Sequence, residues 1–370
     1  MKILVTGGHL TPALSFIDWV TEKQPKDRFV FVGREYSQDV LKQKSVERYE
    51  LEKRKIKFVS FLAVRLGKYF FTNLLKEIPR FIKSIGQAGK IIKEEKIDVV
   101  VSFGGYLAVP FALAAFFKRI PVVTHEQTLA MGFANRLIGR FAKKVAVSFP
   151  ETAEQFPKKS VVTGNPLRKG VFSKKQAKPS WFIESKKPIL LVMGGNQGAK
   201  VLNELILNNL PGLIKDWTIV HQCGKPTLER NYSQAFSLVQ EHLSKEDKNS
   251  IFVKEWIDDK DLFWLYRNSR VALSRSGANA VQEIAVSELP AIFVPLPSAH
   301  KNEQYKNAKW LVDRGAAILI EQPSLTKESL FSALDKLDTA EKQMRESLSS
   351  LSFPKNAAEK LYELTKEVSK

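Results

Sequence analysis

Cysteine is almost missing from this chain. Cys223 is the single one in 370 residues, so no intramolecular disulfide can form, and a reducing compartment is the expected setting. Histidine is scarce as well. The five histidines form no HExxH pair, no cysteine cluster accompanies them, and no D-x-D follows a strand, so no metal is expected. Neither glycine-rich turn reads G-x-G-x-x-G, which weighs against a nicotinamide enzyme, and no cofactor is expected. The opening MKILVTGGHL has no charged n-region, apolar h-region or cleavage site, so no signal peptide is expected. The longest uncharged run, Val99 to Phe117, is interrupted by Gly104-Gly105 and Pro110; it reads as buried strand, turn and helix rather than a membrane span. Acidic residues are in deficit: 58 Lys and Arg stand against 39 Asp and Glu, a net charge of +19. Nucleic acid, an anionic membrane or simply solvated lysine faces would each account for that excess. No RNA-binding aromatic signature goes with it, and nucleic acid is not expected as a partner.

What is present is a pair of turns. KILVTGGHLTPALSFI (2–17) and PILLVMGGNQGAKVLNELI (188–206) each run from an apolar strand through Gly-Gly into helical periodicity. Such turns expose backbone N–H groups at the positive end of a helix, where an anion is well received. Two of them imply two nucleotide-type α/β domains, which 370 residues can accommodate with a core each. Strand and helix signals alternate throughout. Strands are expected at 3–5, 29–32, 99–103, 122–125, 145–147 and 160–163, then at 189–193, 218–222, 251–254, 271–274, 291–294 and 317–320, giving parallel sheets covered by helices. A Pro- and Lys-rich stretch, 149–188, separates the two series and carries the expected hinge near GNPLR (164–168). The expected domains are 1–163 and 164–350, with a C-terminal helix in 351–370 of unassigned docking.

Residues 58–96 interleave aromatic and aliphatic side chains with Arg65, Lys68, Lys76, Arg80, Lys83 and Lys90. Bulky apolar groups beside cations suit an interfacial membrane patch; an amphipathic helix with its apolar face in the core is the plainer alternative. The expected patch comprises Phe70, Phe71, Leu74, Phe81, Lys76, Arg80 and Lys83, with Phe116 extending it from a neighbouring helix.

The ordered motifs GGH, FGGY, HEQ, GNPLR, GGNQGA, WIDD, SRSGA, QE and NEQYKNA, spread over residues 2–322, resemble the MurG family, glycosyltransferases of family 28. The resemblance implies the GT-B fold: two Rossmann-like α/β domains with parallel sheets facing a shared cleft. It implies an inverting transfer of GlcNAc from UDP-GlcNAc to the C4 hydroxyl of undecaprenyl-pyrophosphoryl-MurNAc-pentapeptide (lipid I to lipid II) in peptidoglycan synthesis. The implied setting is peripheral attachment to an anionic surface, the cytoplasmic face of the bacterial membrane. A UDP-sugar 2-epimerase of the same architecture, or a transferase using another lipid-linked acceptor, are the alternatives.

On the donor side, Gly194, Gly195, Asn196, Gln197 and Gly198 place small residues where backbone must approach a diphosphate and stabilise departing UDP. Arg275 to Ala278 form a second such turn, with Asn279 in the helix that follows. Arg168 in GNPLR fits a cation near the diphosphate. The resemblance adds Glu283 as the ribose contact, the backbone of Ile257 as the uracil contact, and Gln304 and Asn307 as contacts to the sugar. On the acceptor side stand Thr6, Gly7 and Gly8, then Gly104, Gly105 and Tyr106, and Thr128. His9 is the first candidate for the general base, His125 and Glu126 the alternatives. Three departures from the family pattern are visible: V-T-G-G-H in place of GGTGGH, HEQT in place of HEQN, and GGNQGA in place of GGSQGA.

Overall fold

The computed structural model describes residues 1–38, 43–64, 74–195, 197–227 and 229–370. Phe70, Phe71 and Asn196 lie outside the described residues. The chain divides into two units: residues 1–168 with 354–370, and residues 169–353.

In the first unit seven strands form one sheet: β1 (Lys2–Thr6), β2 (Arg28–Gly33), β3 (Lys57–Ser60), β4 (Val99–Ser102), β5 (Val122–Glu126), β6 (Lys144–Val147) and β7 (Ser160–Val162). Their order is β3-β2-β1-β4-β5-β6-β7, and every pairing is parallel. Helices cover both faces: α1 (Leu10–Lys23), α2 (Val46–Lys53), α3 (Leu74–Glu94), α4 (Ala108–Phe117) and α5 (Phe133–Phe141). Two-sided cover is why these strands read as unbroken Val, Ile and Leu runs. Ile3 and Val5 pack with Phe16, Ile17 and Val20 of α1, whereas Leu4 points the other way, to Ile92 of α3 and Phe111 of α4. A short antiparallel pair, Tyr36–Gln38 with Gln43–Lys44, follows β2.

The second unit has six parallel strands: β8 (Ile189–Met193), β9 (Thr218–Gln222), β10 (Ile251–Lys254), β11 (Val271–Ser274), β12 (Ala291–Phe293) and β13 (Ala317–Leu319), in the order β10-β9-β8-β11-β12-β13. The helices bearing on the site are α6 (Lys200–Asp216), α7 (Asp259–Asn268), α8 (Ala278–Val286) and α9 (Glu303–Val312); α10 (Lys327–Ser350) packs beneath. In both sheets the strand order reverses beside the first strand of the unit, between β1 and β4 and between β8 and β11. Loops diverge there at the carboxyl ends, the usual position for a ligand crevice in a doubly wound sheet.

The last helix, α11 (Ala357–Ser369), belongs to the first unit. Leu361 and Tyr362 join the core beside α1, and the Tyr362 hydroxyl donates to Asp27 at 2.8 Å. Burial, with Asp27 adding to it, pushes the Tyr362 pKa up to about 12.

One stretch folds otherwise than its composition suggests. Residues 57–60, at the head of the basic–aromatic segment, are the edge strand β3. Phe61 is buried, its ring edge-on to Phe111 with centroids 4.8 Å apart.

Candidate active site

At the β1/β4 switch point three loops of the first unit converge. The turns after β1 and β4 pack backbone to backbone: a Cβ on Gly8 would collide with the Gly104 carbonyl, and one on Gly105 would lie 2.9 Å from the Gly8 Cα. Gly104 and Gly105 both have φ near +78° and +77°, which side chains on L-residues resist. Glycine is therefore required twice over. His9 caps α1 from extended backbone without a side-chain capping bond. Its Nδ1 faces the Phe103 carbonyl at 3.3 Å and the side-chain amide of Gln127, which comes from the loop after β5. Sequence reasoning thus reached His9, and Gln127 as part of the HEQ motif, but not their pairing.

His125 and Glu126 sit differently. His125 is 0% exposed; its Nε2–H donates to the Gly164 carbonyl at 3.0 Å. Burial drives its pKa down to about 4, against the opposing pull of the Gly164 carbonyl and Glu126. Glu126 is buried and its carboxylate is fully used. Oε1 accepts from the Thr128 N–H and hydroxyl (3.0 and 2.7 Å), and Oε2 from the Gly132 N–H and the Asn135 amide (both 2.9 Å). Asn135 also accepts from Thr124 at 2.8 Å. This network folds the loop 127–132 onto the first turn of α5, where a carboxylate suits the helix dipole. Thr128, with a hydroxyl where the family pattern has an amide, keeps its place through Glu126. Thr6 is buried at the end of β1, its hydroxyl without a hydrogen-bond partner among the described residues, and Tyr106 is half-buried beside the second turn.

In the second unit, Gly194 to Gly198 lie between β8 and α6. A Cβ on Gly198 would collide with the Cys223 carbonyl, so the turn after β9 seats directly on this one. Gln222 ties the pieces: its Nε2 donates to the Gly195 carbonyl at 3.2 Å and its Oε1 accepts from the Ile257 N–H at 3.0 Å. The Ile257 N–H is thereby engaged. Asn203 of α6 donates to the Cys223 carbonyl at 2.9 Å and accepts from His221 Nε2 at 2.8 Å. Burial lowers the His221 pKa to about 4 and raises the Cys223 thiol to about 11, so both are neutral near pH 7. Gln222 and Asn203 escaped sequence reading; a polar residue at the carboxyl end of a strand, as in HQ of β9, is a signal for Gln222, and Asn203, inside α6, has none.

The turn after β11 opens α8 at Gly277, which has open space where a side chain would stand. Arg275 turns back into the protein: its guanidinium donates to the Val294 and Pro295 carbonyls (3.0 and 3.1 Å) and to Gln322 (2.7 Å), and burial lowers its pKa. Asn307 is buried and donates to the Ser276 carbonyl at 3.2 Å, while Gln304 Oε1 accepts from the Leu296 N–H at 3.0 Å. Both hold the walls of the site. Glu283 is 1% exposed, with the Tyr266 hydroxyl of α7 at 3.4 Å. Ala278 and Asn279 are half-buried in the first turn of α8, and Arg168 is half-buried at the end of the first unit's main segment.

The expected membrane residues separate by position. Phe81 turns inward onto the core of the first unit, a correction to its expected place at the surface, because α3 buries that stripe against α4. Leu74 opens α3. Ile78 and Ile82 (61% exposed) project from the same helix with Lys76, Arg80 and Lys83 exposed around them. Phe116 and Phe117 (72%) are also exposed, Phe116 leaning on Phe141 with centroids 5.1 Å apart. Gly89 of α3 sits beside Ala114 of α4. Ile82 and Phe116 thus project from two neighbouring helices. Among the described residues no helix is long and apolar enough to cross a membrane, and none group into a cluster able to hold a metal ion.

Comparison with known proteins separates fold from family. The model of the glycosyltransferase family 28 N-terminal domain matches residues 5–147, and that of the C-terminal domain residues 189–365. A UDP-N-acetylglucosamine–N-acetylmuramyl-(pentapeptide) pyrophosphoryl-undecaprenol N-acetylglucosamine transferase of Clostridium tetani is 31% identical, covering 98% of this chain and 97% of its own. The crystal structure of Acinetobacter baumannii MurG superposes with a TM-score of 0.69 at 27% identity, covering 99% of this chain and 100% of its own. A UDP-GlcNAc 2-epimerase of Neisseria meningitidis bound to UDP-GlcNAc also superposes (TM-score 0.64, 99% and 100% covered) but at 13% identity, a likeness of fold alone. With both domain models matched in order and a transferase similar over nearly its whole length, the chain belongs to glycosyltransferase family 28.

Proposed function

We propose that this chain transfers GlcNAc from UDP-GlcNAc to the C4 hydroxyl of undecaprenyl-pyrophosphoryl-MurNAc-pentapeptide, with inversion at the anomeric carbon. The observation that carries this reading is end-to-end similarity to transferases of that name, 31% over 371 aligned residues. The epimerase likeness does not extend beyond the fold. The geometry adds the chemistry.

In the first unit, His9 is the base. A half-turn of the Gln127 amide exchanges its oxygen and nitrogen; with the oxygen facing the ring, Nδ1–H donates to both Gln127 and the Phe103 carbonyl. Nε2 then keeps its lone pair. It takes the proton of the acceptor hydroxyl as that oxygen bonds to the anomeric carbon and the bond to UDP breaks. His125, donating to Gly164, and Glu126, holding four donors, position the loop that carries Gln127. In the second unit, the turn after β8, apart from the Gly198 N–H that donates to the Gly195 carbonyl, and the start of α8 offer N–H groups to the diphosphate, where negative charge grows as UDP leaves. Glu283 receives the ribose hydroxyls, exchanging Tyr266 for them, and the Ile257 carbonyl receives the uracil N–H.

The first unit also meets the membrane, at its cytoplasmic face. It carries 33 Lys and Arg against 18 Asp and Glu, the second unit 25 against 21, so most of the excess charge is on one unit. The cations around Ile78 and Ile82 suit anionic headgroups. UDP release from UDP-GlcNAc, measured with and without lipid-linked muramyl-pentapeptide, tests the reaction. Release that requires the acceptor is expected; conversion of UDP-GlcNAc to another sugar nucleotide without acceptor would replace the reading by an epimerase.

A further inference from the structure

Gly7 and Gly33 end neighbouring strands, and one side chain lies over both. A Cβ on Gly7 would stand 3.0 Å from Glu47 Oε1, and one on Gly33 would stand 2.6 Å from Oε2. Glu47 reaches there from the first turn of α2, fixed by Ser45, whose hydroxyl caps the helix by accepting from the Arg48 N–H at 3.2 Å and donates to the Arg34 carbonyl at 2.6 Å. Oε2 accepts from the Arg34 N–H at 3.1 Å. The rings of Phe31 and Phe58 also lie against these glycines.

Two positions of the same turn offer no N–H to a ligand. The Gly7 N–H is spent on the Val32 carbonyl at 2.9 Å, and Pro12 in the first turn of α1 has no N–H. The loop after β5 likewise contains its own carboxylate, Glu126, already holding four donors. The turn after β4 differs: what faces Gly104 is the neutral amide of Asn135, 3.1 Å from where a Cβ would be. A phosphate oxygen placed on the Gly7 turn would meet a carboxylate in a half-buried site, where like charges repel more strongly than in water. Burial already raises the Glu47 pKa, and an adjacent diphosphate would raise it further.

We infer that Glu47 is a specificity residue: its carboxylate stands beside the first glycine turn and keeps the acceptor's diphosphate off that turn. This rests on the proposed transfer to a diphosphate-linked acceptor.

The test compares two acceptors, the same muramyl-pentapeptide joined to its lipid through a diphosphate or through an uncharged linker, in wild type and in Glu47→Gln. Glutamine keeps the size and the oxygen that accepts from the Arg34 N–H. The ratio of kcat/KM for the diphosphate acceptor over the neutral one should rise about tenfold in Glu47→Gln. An unchanged ratio would overturn the inference, as would a fall, which would mark Glu47 as a direct partner of the acceptor. Should Glu47→Gln fail to fold, Glu47→Asp, which draws the charge back by one carbon, should raise the same ratio by a smaller factor; no rise there overturns it equally. Wild type transferring to neither acceptor would instead defeat the proposed function, and the inference with it.

Discussion

The two units repeat one sheet plan and put opposite chemistry on it. In the first unit the loops at the switch point are organised by ionisable groups: Glu47 over Gly7, Glu126 within the loop after β5, and His9 against Gln127. In the second they are organised largely by neutral amides: Gln222 between Gly195 and Ile257, Asn203 on the Cys223 carbonyl, and Asn307 on the Ser276 carbonyl. Net charge follows the same division, 33 cations to 18 anions against 25 to 21. A site built to receive two phosphates does best with fixed dipoles and no competing carboxylate at the turn, whereas a site that must move a proton needs a titrating side chain. The scaffold is common to both, and the polar residues around the switch point differ.

Substitutions that damage one unit and spare the other test this division. The largest effect is expected from His9→Ala, which should lower turnover by about 10²–10⁴-fold while leaving UDP-GlcNAc affinity nearly intact; steady-state rates with calorimetric donor binding would show it. If His125→Ala or Glu126→Ala gave that pattern in place of His9→Ala, the base is misassigned. Next, Glu283→Ala removes a charge-assisted pair of hydrogen bonds, about 2–3 kcal/mol, so UDP affinity should drop tenfold or more. Unchanged affinity in a folded Glu283→Ala protein would remove Glu283 from the donor site. Third, each unit buries one neutral histidine, His125 and His221, with pKa values lowered from 6.5 to about 4. Between those pH values the unfolded chain binds protons that the folded chain refuses, so stability should fall as pH drops through the window and level off below it. Each histidine accounts for up to about 3 kcal/mol of that loss. Urea midpoints at pH 7 and pH 5 should differ, and His221→Gln should shrink the difference; a midpoint independent of pH would contradict the burial argument. The smallest effect concerns vesicles. Ile78→Ser with Ile82→Ser, and separately Phe116→Ser with Phe117→Ser, should each weaken binding to anionic vesicles, with rising salt removing only the electrostatic part, about 1 kcal/mol per basic residue. Retained binding in the first pair alone would place the membrane at the Phe116 end of the face.

Much of the architecture was legible because buried parallel strands are continuous apolar runs: β8 to β11 fall where the sequence puts them to the residue, and the other expected strands within about one residue at each end. Two features were not. β3 is an edge strand whose half-exposed KFVS merges into a basic–aromatic stretch, so its composition resembles an interfacial patch more than a strand. The docking of α11 depends on Leu361 and Tyr362 meeting α1 across more than 330 residues of chain, which no local pattern encodes. At the site, glycines and His9 were readable because turns demand particular residue types. The roles of Gln127, Gln222 and Asn203 were not, since an amide's role is set by which carbonyl or N–H it meets in space. Glu47 was hidden for the same reason: nothing in SVERYE indicates that it lies over Gly7.

The division of labour is tested most directly by amide hydrogen exchange of the whole chain with UDP-GlcNAc and with the lipid-linked acceptor added separately. The donor should slow exchange at 194–199, at 257 and through 275–283, leaving 7–9, 104–106 and 127–132 unchanged; the acceptor should do the reverse. Protection of the first-unit loops by UDP-GlcNAc alone, with the second-unit turns unaffected, would contradict the account.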